Sequence, residues 1–241
     1  MNYLFTLLVC CLWSVNAHAG PNIHVGDFYD YLSGDKTNYL KRIFNGGTST
    51  AFVKINVTEM LYKADGTYDE VPLKSQADAL IASPARLIVP ATGMQSTRFV
   101  FMGERDRERY FRVRYLPVAP EKDDEFQATE EERKAYQDKV AGGVRVMAGY
   151  GTVFFVRPKD SRYDTRIENG GRNYTLRNAG NTVVVVDEFK DCSVSDRMDC
   201  TPTTKNHIFP GRVFSFEKQA GRVYRFHVLE GGTERVVEVN G

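Results

Sequence analysis

The stretch VRVMAGYGTVFFVRP, residues 144–158, decides the fold. Its first half alternates apolar or small residues with others, and it is wholly apolar from Val153 to Val156. Alternation with a period of two residues is typical of a half-buried strand, and a continuous apolar run is typical of a buried one. Arg157-Pro158 ends the pattern. We therefore predict one long strand whose second half packs inside the protein's own core.

Most other ordered stretches also have a period of two. Short runs rich in Val, Phe, Tyr and Thr, such as AFVKINVTEM (51–60) and RVYRFHVL (222–229), alternate with turn sequences such as Asn169-Gly170-Gly171 and Pro210-Gly211. Many short strands at this spacing indicate antiparallel sandwiches. The chain is predicted to be all-β.

Two segments break this pattern. Residues 127–143, QATEEERKAYQDKVAGG, are acidic and then mixed in charge, and we predict a mobile loop that contains a helical turn. Residues 157–164, RPKDSRYD, are polar and contain Pro, which is typical of a linker between domains. We expect one sandwich over residues 20–158 and a smaller one over residues 159–241.

The N-terminus predicts export. LFTLLVCCLWSV (4–15) has the length of a signal-peptide apolar region and is too short to span a bilayer. Ala17-His18-Ala19 has the small-x-small form of a cleavage site, so residues 1–19 are expected to be a signal peptide cleaved after Ala19. The alternative is a buried N-terminal helix, although no amphipathic segment follows. The mature protein is therefore predicted to be exported and soluble.

The cysteines agree with an oxidising compartment. Cys10 and Cys11 leave with the signal peptide, and the mature chain keeps Cys192 and Cys200. The polar residues between them suit a disulfide that closes a short surface loop. The histidines are scattered and no Cys or His pair has ligand spacing, so we expect no metal site.

Charge and motifs exclude several functions. The formal net charge is +1, which argues against a nucleic-acid partner or a membrane-surface role. In ERDRERYFRVRY (104–115) acids and arginines interleave, a pattern more typical of a solvated hairpin edge than of a phosphate track. Nucleophile-elbow, phosphate-loop and HExxH motifs are absent from the sequence. We expect no enzyme, although distant strands could still assemble a hydrolase site.

The first half of the long strand remains to be explained. Alternation places Val144, Val146, Ala148 and Tyr150 on one face. These side chains are mostly small, and they adjoin the loop predicted at 127–143, so they fill a core poorly. An exposed alternating edge normally invites aggregation. A protein that keeps one can use it to pair with a strand of another chain.

The sequence resembles a known family at this point. The resemblance rests on these stretches, taken in order: HVGDFYDYL (24–32), SPARLIVPATGMQSTRFVFMG (83–103), ERYFRVRY (108–115), GTVFFVRP (151–158) and DCSVSDRMDCTPTTKNHIFPGRVFSF (191–216). They are similar to segments of the periplasmic chaperones of chaperone–usher pilus assembly. The similarity is greatest to the alternate, or alpha, branch, which includes the E. coli common pilus chaperones.

The resemblance implies two immunoglobulin-like sandwiches in a boomerang arrangement, which bind pilin subunits and deliver them to an outer-membrane usher. It also implies donor-strand complementation, in which the chaperone lends a strand to a pilin that lacks one. The lending residues would be Val144, Val146, Ala148 and Tyr150. No cofactor, neither ATP nor a metal, is needed. The same edge is expected to cause self-association when the protein is free.

The sequence departs from the family in the cleft. The better known branch binds the pilin's C-terminal carboxylate with an Arg on the first strand and a Lys on the long strand. Here NIHVGDFYDYL (22–32) has neither Arg nor Lys, and Val153 stands at the Lys position. The candidate anchors are Arg112 and Arg114, which share one face of the neighbouring strand and can bind a carboxylate with two hydrogen bonds. The alternative is that they are surface charges paired with nearby acids.

Two other functions fit the β pattern less well. A secreted two-domain pilus subunit or adhesion module would share the strands. A subunit should carry a disordered N-terminal donor extension, however, and the strand-like segment IHVGDFYDYL begins almost at the expected cleavage site. A periplasmic hydrolase would require residues brought together from distant strands.

Overall fold

The computed structural model describes residues 20–63, 65–73, 79–121, 126, 128–140, 148–196 and 198–241. The expected signal peptide, its cleavage site, Val144 and Val146 lie outside these residues. Within them the chain forms strands β1 to β17 and one helix, α1. The described helix is not long and apolar enough to cross a membrane.

Two facing sheets form the first sandwich. One has the order β1 (Ile23–His24), β3 (Asn38–Asn45), β8 (Met94–Phe101) and β6 (Leu80–Ser83). The other has the order β2 (Tyr29–Leu32), β10 (Tyr150–Val156), β9 (Arg109–Val118), β4 (Ala51–Tyr62) and β5 (Tyr68–Val71), and β7 (Arg86–Val89) also pairs with β4. Alternate residues of each strand point inward and form one continuous core that includes Phe99, Phe111 and Phe154.

The second sandwich has the same plan on a smaller scale. One sheet has the order β11 (Thr165–Glu168), β12 (Asn173–Asn178) and β15 (Val213–Glu217). The other has the order β14 (Thr204–Ile208), β13 (Val184–Ser193), β16 (Arg222–Glu230) and β17 (Thr233–Asn240). A second buried core lies between the sheets. The all-β fold with two sandwiches is therefore confirmed.

The disulfide is also confirmed. Cys192 and Cys200 are bonded, and they close a loop beyond the end of β13. Between β10 and β11, the residues predicted to form a linker contain no strand.

Helix α1 (Glu130–Val140) differs from the mobile loop expected there. Thr129 caps its first turn: the Thr129 hydroxyl accepts from the Glu132 amide, and the Glu132 carboxylate accepts from the Thr129 amide. The rings of Phe126 and Tyr136 pack edge-on against Phe52 of the first sandwich. The sequence analysis predicted only a helical turn here, because the segment is mostly polar. It did not recognise the capping box or the aromatic residues that anchor the helix.

Candidate functional site

Strand β10 is covered on one side for only part of its length. Parallel strand β2 pairs with it from Val153 to Val156, and antiparallel β9 pairs with it from Tyr150 to Val156 on the other side. Among the described residues, no strand pairs with β10 on the β2 side before Val153. We call this uncovered side of residues 148–152 the open edge.

The two faces of β10 have different roles. Tyr150, Phe154 and Val156 face the core of the first sandwich. Val153 and Phe155 point to the opposite face and belong to a cluster that contacts the second sandwich. The prediction that Val153 to Val156 all pack inside their own sandwich is therefore wrong for Val153 and Phe155, because successive side chains of a strand point to opposite faces.

Of the four expected lending residues, the structure describes Ala148 and Tyr150. Ala148 is exposed and Tyr150 is half-buried, and both precede the covered part of β10. The described strand begins at Tyr150, later than predicted. If the register with β9 is continued, Ala148 lies opposite Pro117, which has no amide hydrogen to donate to a ladder.

An aromatic cluster joins the two sandwiches. The interdomain cluster consists of Met60, Val153, Phe155 and Val183, with Tyr29, Tyr31, Tyr62, Tyr110 and Phe209 packed against them. The Phe155 and His207 rings stack with centroids 5.0 Å apart. Burial of this much aromatic surface fixes the end of β10 between the two sandwiches.

Arg112 and Arg114 lie beside this cluster, on the same face of the sheet. Arg112 is the cross-strand neighbour of Val153, so it adjoins the position where the family's Lys would stand. Arg114 forms two hydrogen-bonded contacts of 2.6 and 2.8 Å with the Glu70 carboxylate, and this hydrogen bonding lowers the pKa of Glu70. The Arg112 guanidinium makes a longer contact of 3.8 Å with the same carboxylate, and it donates to the Tyr68 hydroxyl. Arg112 therefore interacts less strongly with Glu70 than Arg114 does.

Glu108 is a buried residue at the contact between the two sandwiches, and the sequence interpretation missed it. It was assigned to a solvated hairpin edge, but it is 6% exposed. Its carboxylate accepts from the Thr182 hydroxyl at 2.6 Å, the Val183 amide at 2.8 Å and the Tyr110 hydroxyl at 2.9 Å. Burial raises the pKa of Glu108 to about 7. The neighbouring Arg109 is buried as well, in an ion pair with Glu59. The solvated-edge prediction is wrong for both residues, since docking of the second sandwich and β4 removes them from water.

A second polar contact crosses the same interface. The Tyr31 hydroxyl and His207 Nε2 are 2.6 Å apart. Burial lowers the pKa of His207 to about 4, so the ring is neutral at pH 7. Within the described residues, no group of three or more His, Cys, Asp or Glu side chains could hold a metal ion.

Comparison with known proteins points to fimbrial chaperones. No family model matches the chain. A probable fimbrial chaperone, EcpB of Escherichia coli O157:H7, is 24% identical over 214 residues, which cover 88% of each chain. Over most of its length, the chain is similar to a probable fimbrial chaperone.

Solved chaperone structures have the same fold. A chaperone from Pseudomonas aeruginosa, CupB2, superposes with a TM-score of 0.56 at 13% identity, covering 90% of this chain and all of that one. The chaperone–tip subunit complex CsuC–CsuE of Acinetobacter baumannii contains a chain that superposes with a TM-score of 0.51 at 13% identity, covering 92% of this chain and 99% of that one.

Proposed function

We propose that this protein is a periplasmic chaperone that binds pilin subunits by donor-strand complementation and delivers them to an outer-membrane usher. The observation that carries the proposal is the open edge, which directly follows a segment of alternating residues. Unpaired backbone groups on β10 offer hydrogen bonds to an incoming strand, and alternate side chains of 144–150 fill pockets in the client. The relatives are fimbrial chaperones, which supports the same role.

The proposal includes the domain limits and the location. The first domain spans residues 20–158 and carries the lending strand, and the second spans 159–241 and carries the disulfide. Residues 1–19 direct export to the periplasm and are removed. The protein works without catalysis or a cofactor, because completion of the pilin's own core drives later release. It belongs to the alternate branch of the family.

The lending residues are Val144, Val146, Ala148 and Tyr150. Each aliphatic side chain that a client buries contributes roughly 1.5 to 3 kcal/mol. A client that lacks one strand would therefore be stabilised by several kcal/mol from this segment alone, in addition to the backbone hydrogen bonds.

The test is recovery of a complex. The exported protein is expressed with a pilin subunit from the same genome, and complex recovered from the periplasm is quantified. We expect Val146→Arg with Ala148→Arg to abolish recovery, because a charged side chain cannot enter an apolar groove without a partner. The control is Val236→Arg, which changes a 70% exposed valine in the second sandwich. Undiminished recovery with the first variant would refute the assignment of the lending strand.

The carboxylate anchor is proposed to be Arg112, with Arg114 as its neighbour. A client carboxylate would compete with Glu70 for these guanidinium groups. Arg112 would lose one long contact with Glu70, whereas Arg114 would lose two short ones. We expect Arg112→Ala to weaken complex recovery more than Arg114→Ala does. Unaltered binding in both variants would remove these residues from the site.

A further inference from the structure

The open edge ends where the N-terminal chain crosses between sheets. Strand β1 pairs in one sheet of the first sandwich and β2 pairs in the other. The crossing, residues 25–28, includes Gly26 with φ of 68°, a conformation that glycine adopts readily. The Phe28 carbonyl accepts from the Val153 amide at 2.9 Å. Coverage of β10 therefore begins at Phe28.

A buried ion pair holds this crossing in place. Lys41 Nζ donates to the Asp27 carbonyl at 2.7 Å and to both carboxylate oxygens of Asp30 at 2.9 and 2.8 Å. The Tyr39 hydroxyl donates to Asp30 at 2.8 Å. Lys41 and Asp30 are buried. Displacing the crossing would separate a buried pair, which is strongly unfavourable.

The Phe28 side chain is placed to meet an incoming strand. It is 51% exposed, although it is large and apolar. Its ring centroid lies 6.1 Å from that of Tyr150, the first residue of β10. The two rings form an apolar surface at the end of the open edge.

We propose that the Phe28 side chain sets the register of the client strand on β10, because Phe28 and Tyr150 together bind a large apolar side chain near the end of that strand. This inference rests on the proposed function. A strand added to β10 would lie about 4.8 Å from it. From Tyr29 onward β2 already occupies that line, so the added strand must end at Phe28.

A contact of this kind solves a problem of register. A slip of two residues keeps every side chain on its face, so the alternating pattern alone does not exclude it. The backbone of an open edge accepts each of those registers. Strand β2 excludes the registers displaced towards it, and the contact of one apolar client side chain with Phe28 and Tyr150 selects one of the others.

Cross-linking measures the register directly. Gly151→Cys places a thiol on the open edge, where an added Cβ lies at an ordinary contact distance of 3.7 Å from Arg112 Cδ. Cys192 and Cys200 are bonded to each other and do not compete. The probe is the same pilin subunit as in the recovery experiment, with single cysteines at successive C-terminal positions, joined by a short bis-maleimide to the thiol that Gly151→Cys introduces. We expect one position to dominate in the parent complex.

Phe28→Ala should change this result. Without the Phe28 ring, a register displaced by two residues away from β2 no longer loses an apolar contact. Positions two residues apart should therefore cross-link with comparable yield, and the complex should dissociate about tenfold faster, as expected when an interface anchor is truncated. Phe28→Leu keeps an apolar side chain and should retain the single cross-linked position. It also provides the measurement if Phe28→Ala yields too little complex. Phe44→Ala is the matched control, because Phe44 is 47% exposed and lies on β3 in the other sheet.

Two failures can be told apart. A single unchanged position in both Phe28→Ala and Phe28→Leu would overturn the role of the Phe28 side chain, while the proposed function stands if Val146→Arg with Ala148→Arg abolishes recovery. Full recovery with the double arginine variant would overturn the proposed function itself.

Discussion

At the scale of single residues, Glu108 is the clearest determinant of how the two sandwiches meet. Its carboxylate is buried, and two of its three hydrogen-bond donors, Thr182 and Val183, belong to the second sandwich. The positive charge of Arg157 lowers the pKa of Glu108, but this effect is smaller than the opposite effect of burial. Protonation therefore favours the docked arrangement.

The stability of the protein should depend on Glu108 and pH. Its pKa is raised from 4.5 to about 7, so the stabilisation is fully present below pH 4.5 and is lost as pH rises through 7. The loss amounts to roughly 3 kcal/mol at most. His207 acts in the opposite sense, because its lowered pKa costs stability as pH falls from 6.5 towards 4.

Glu108→Gln separates the two groups. The amide keeps the size of the side chain and stays neutral, so we expect the variant to lose the fall in stability between pH 5 and 8 and to keep the acid limb due to His207. Thermal unfolding of both proteins across this range measures the difference. Parallel curves for the two proteins would show that Glu108 does not ionise in the interface.

At the scale of elements, α1 anchors the connection between β9 and β10. Its contact with the sandwich is small and depends on Phe126, Ala128 and Tyr136 packing against Phe52. The remaining surface of the helix is polar, so this small apolar contact is its main attachment to the sandwich. The anchor therefore holds the chain shortly before the lending segment begins.

Tyr136→Ala should release this helix. Truncation of a buried aromatic costs about 3 to 5 kcal/mol in a full core, and less at this peripheral site. We expect amide exchange of residues 130–138 to accelerate strongly while exchange in β4 and β9 is unchanged. Glu131→Ala, at an exposed position of the same helix, is the control. Equal acceleration in β4 would indicate that Tyr136 supports the whole sandwich.

At the scale of the whole molecule, the open edge should affect the free protein. An unpaired strand edge next to alternating apolar residues favours pairing between copies. We expect the free protein to form dimers with increasing concentration, and Val146→Arg with Ala148→Arg to keep it monomeric. Sedimentation velocity measures both. Dimers that persist in the arginine variant would place self-association elsewhere.

The sequence allowed the strands, the two sandwiches and the disulfide to be predicted, because half-burial imposes a period of two and export favours pairing of Cys192 with Cys200. Residues whose environment depends on distant chain were missed. Glu108 meets Thr182 only when the sandwiches dock, and Lys41 meets Asp30 across the two sheets of one sandwich. Neither contact leaves a periodic signal, so charged residues at those positions appeared solvated or went unnoticed.

Amide hydrogen exchange at Gly151 tests the central claim most directly. The Val153 and Arg157 amides point towards β2, so the Gly151 amide, at the same alternation, points to the open edge. Thr152, whose amide faces β9, serves as the internal control. Binding of a pilin subunit along β10 should slow exchange at Gly151 at least about a hundredfold and leave Thr152 unchanged, because the edge amide gains a stable ladder hydrogen bond. Exchange at Gly151 that stays as fast in the complex as in the free protein would contradict donor-strand pairing on this edge.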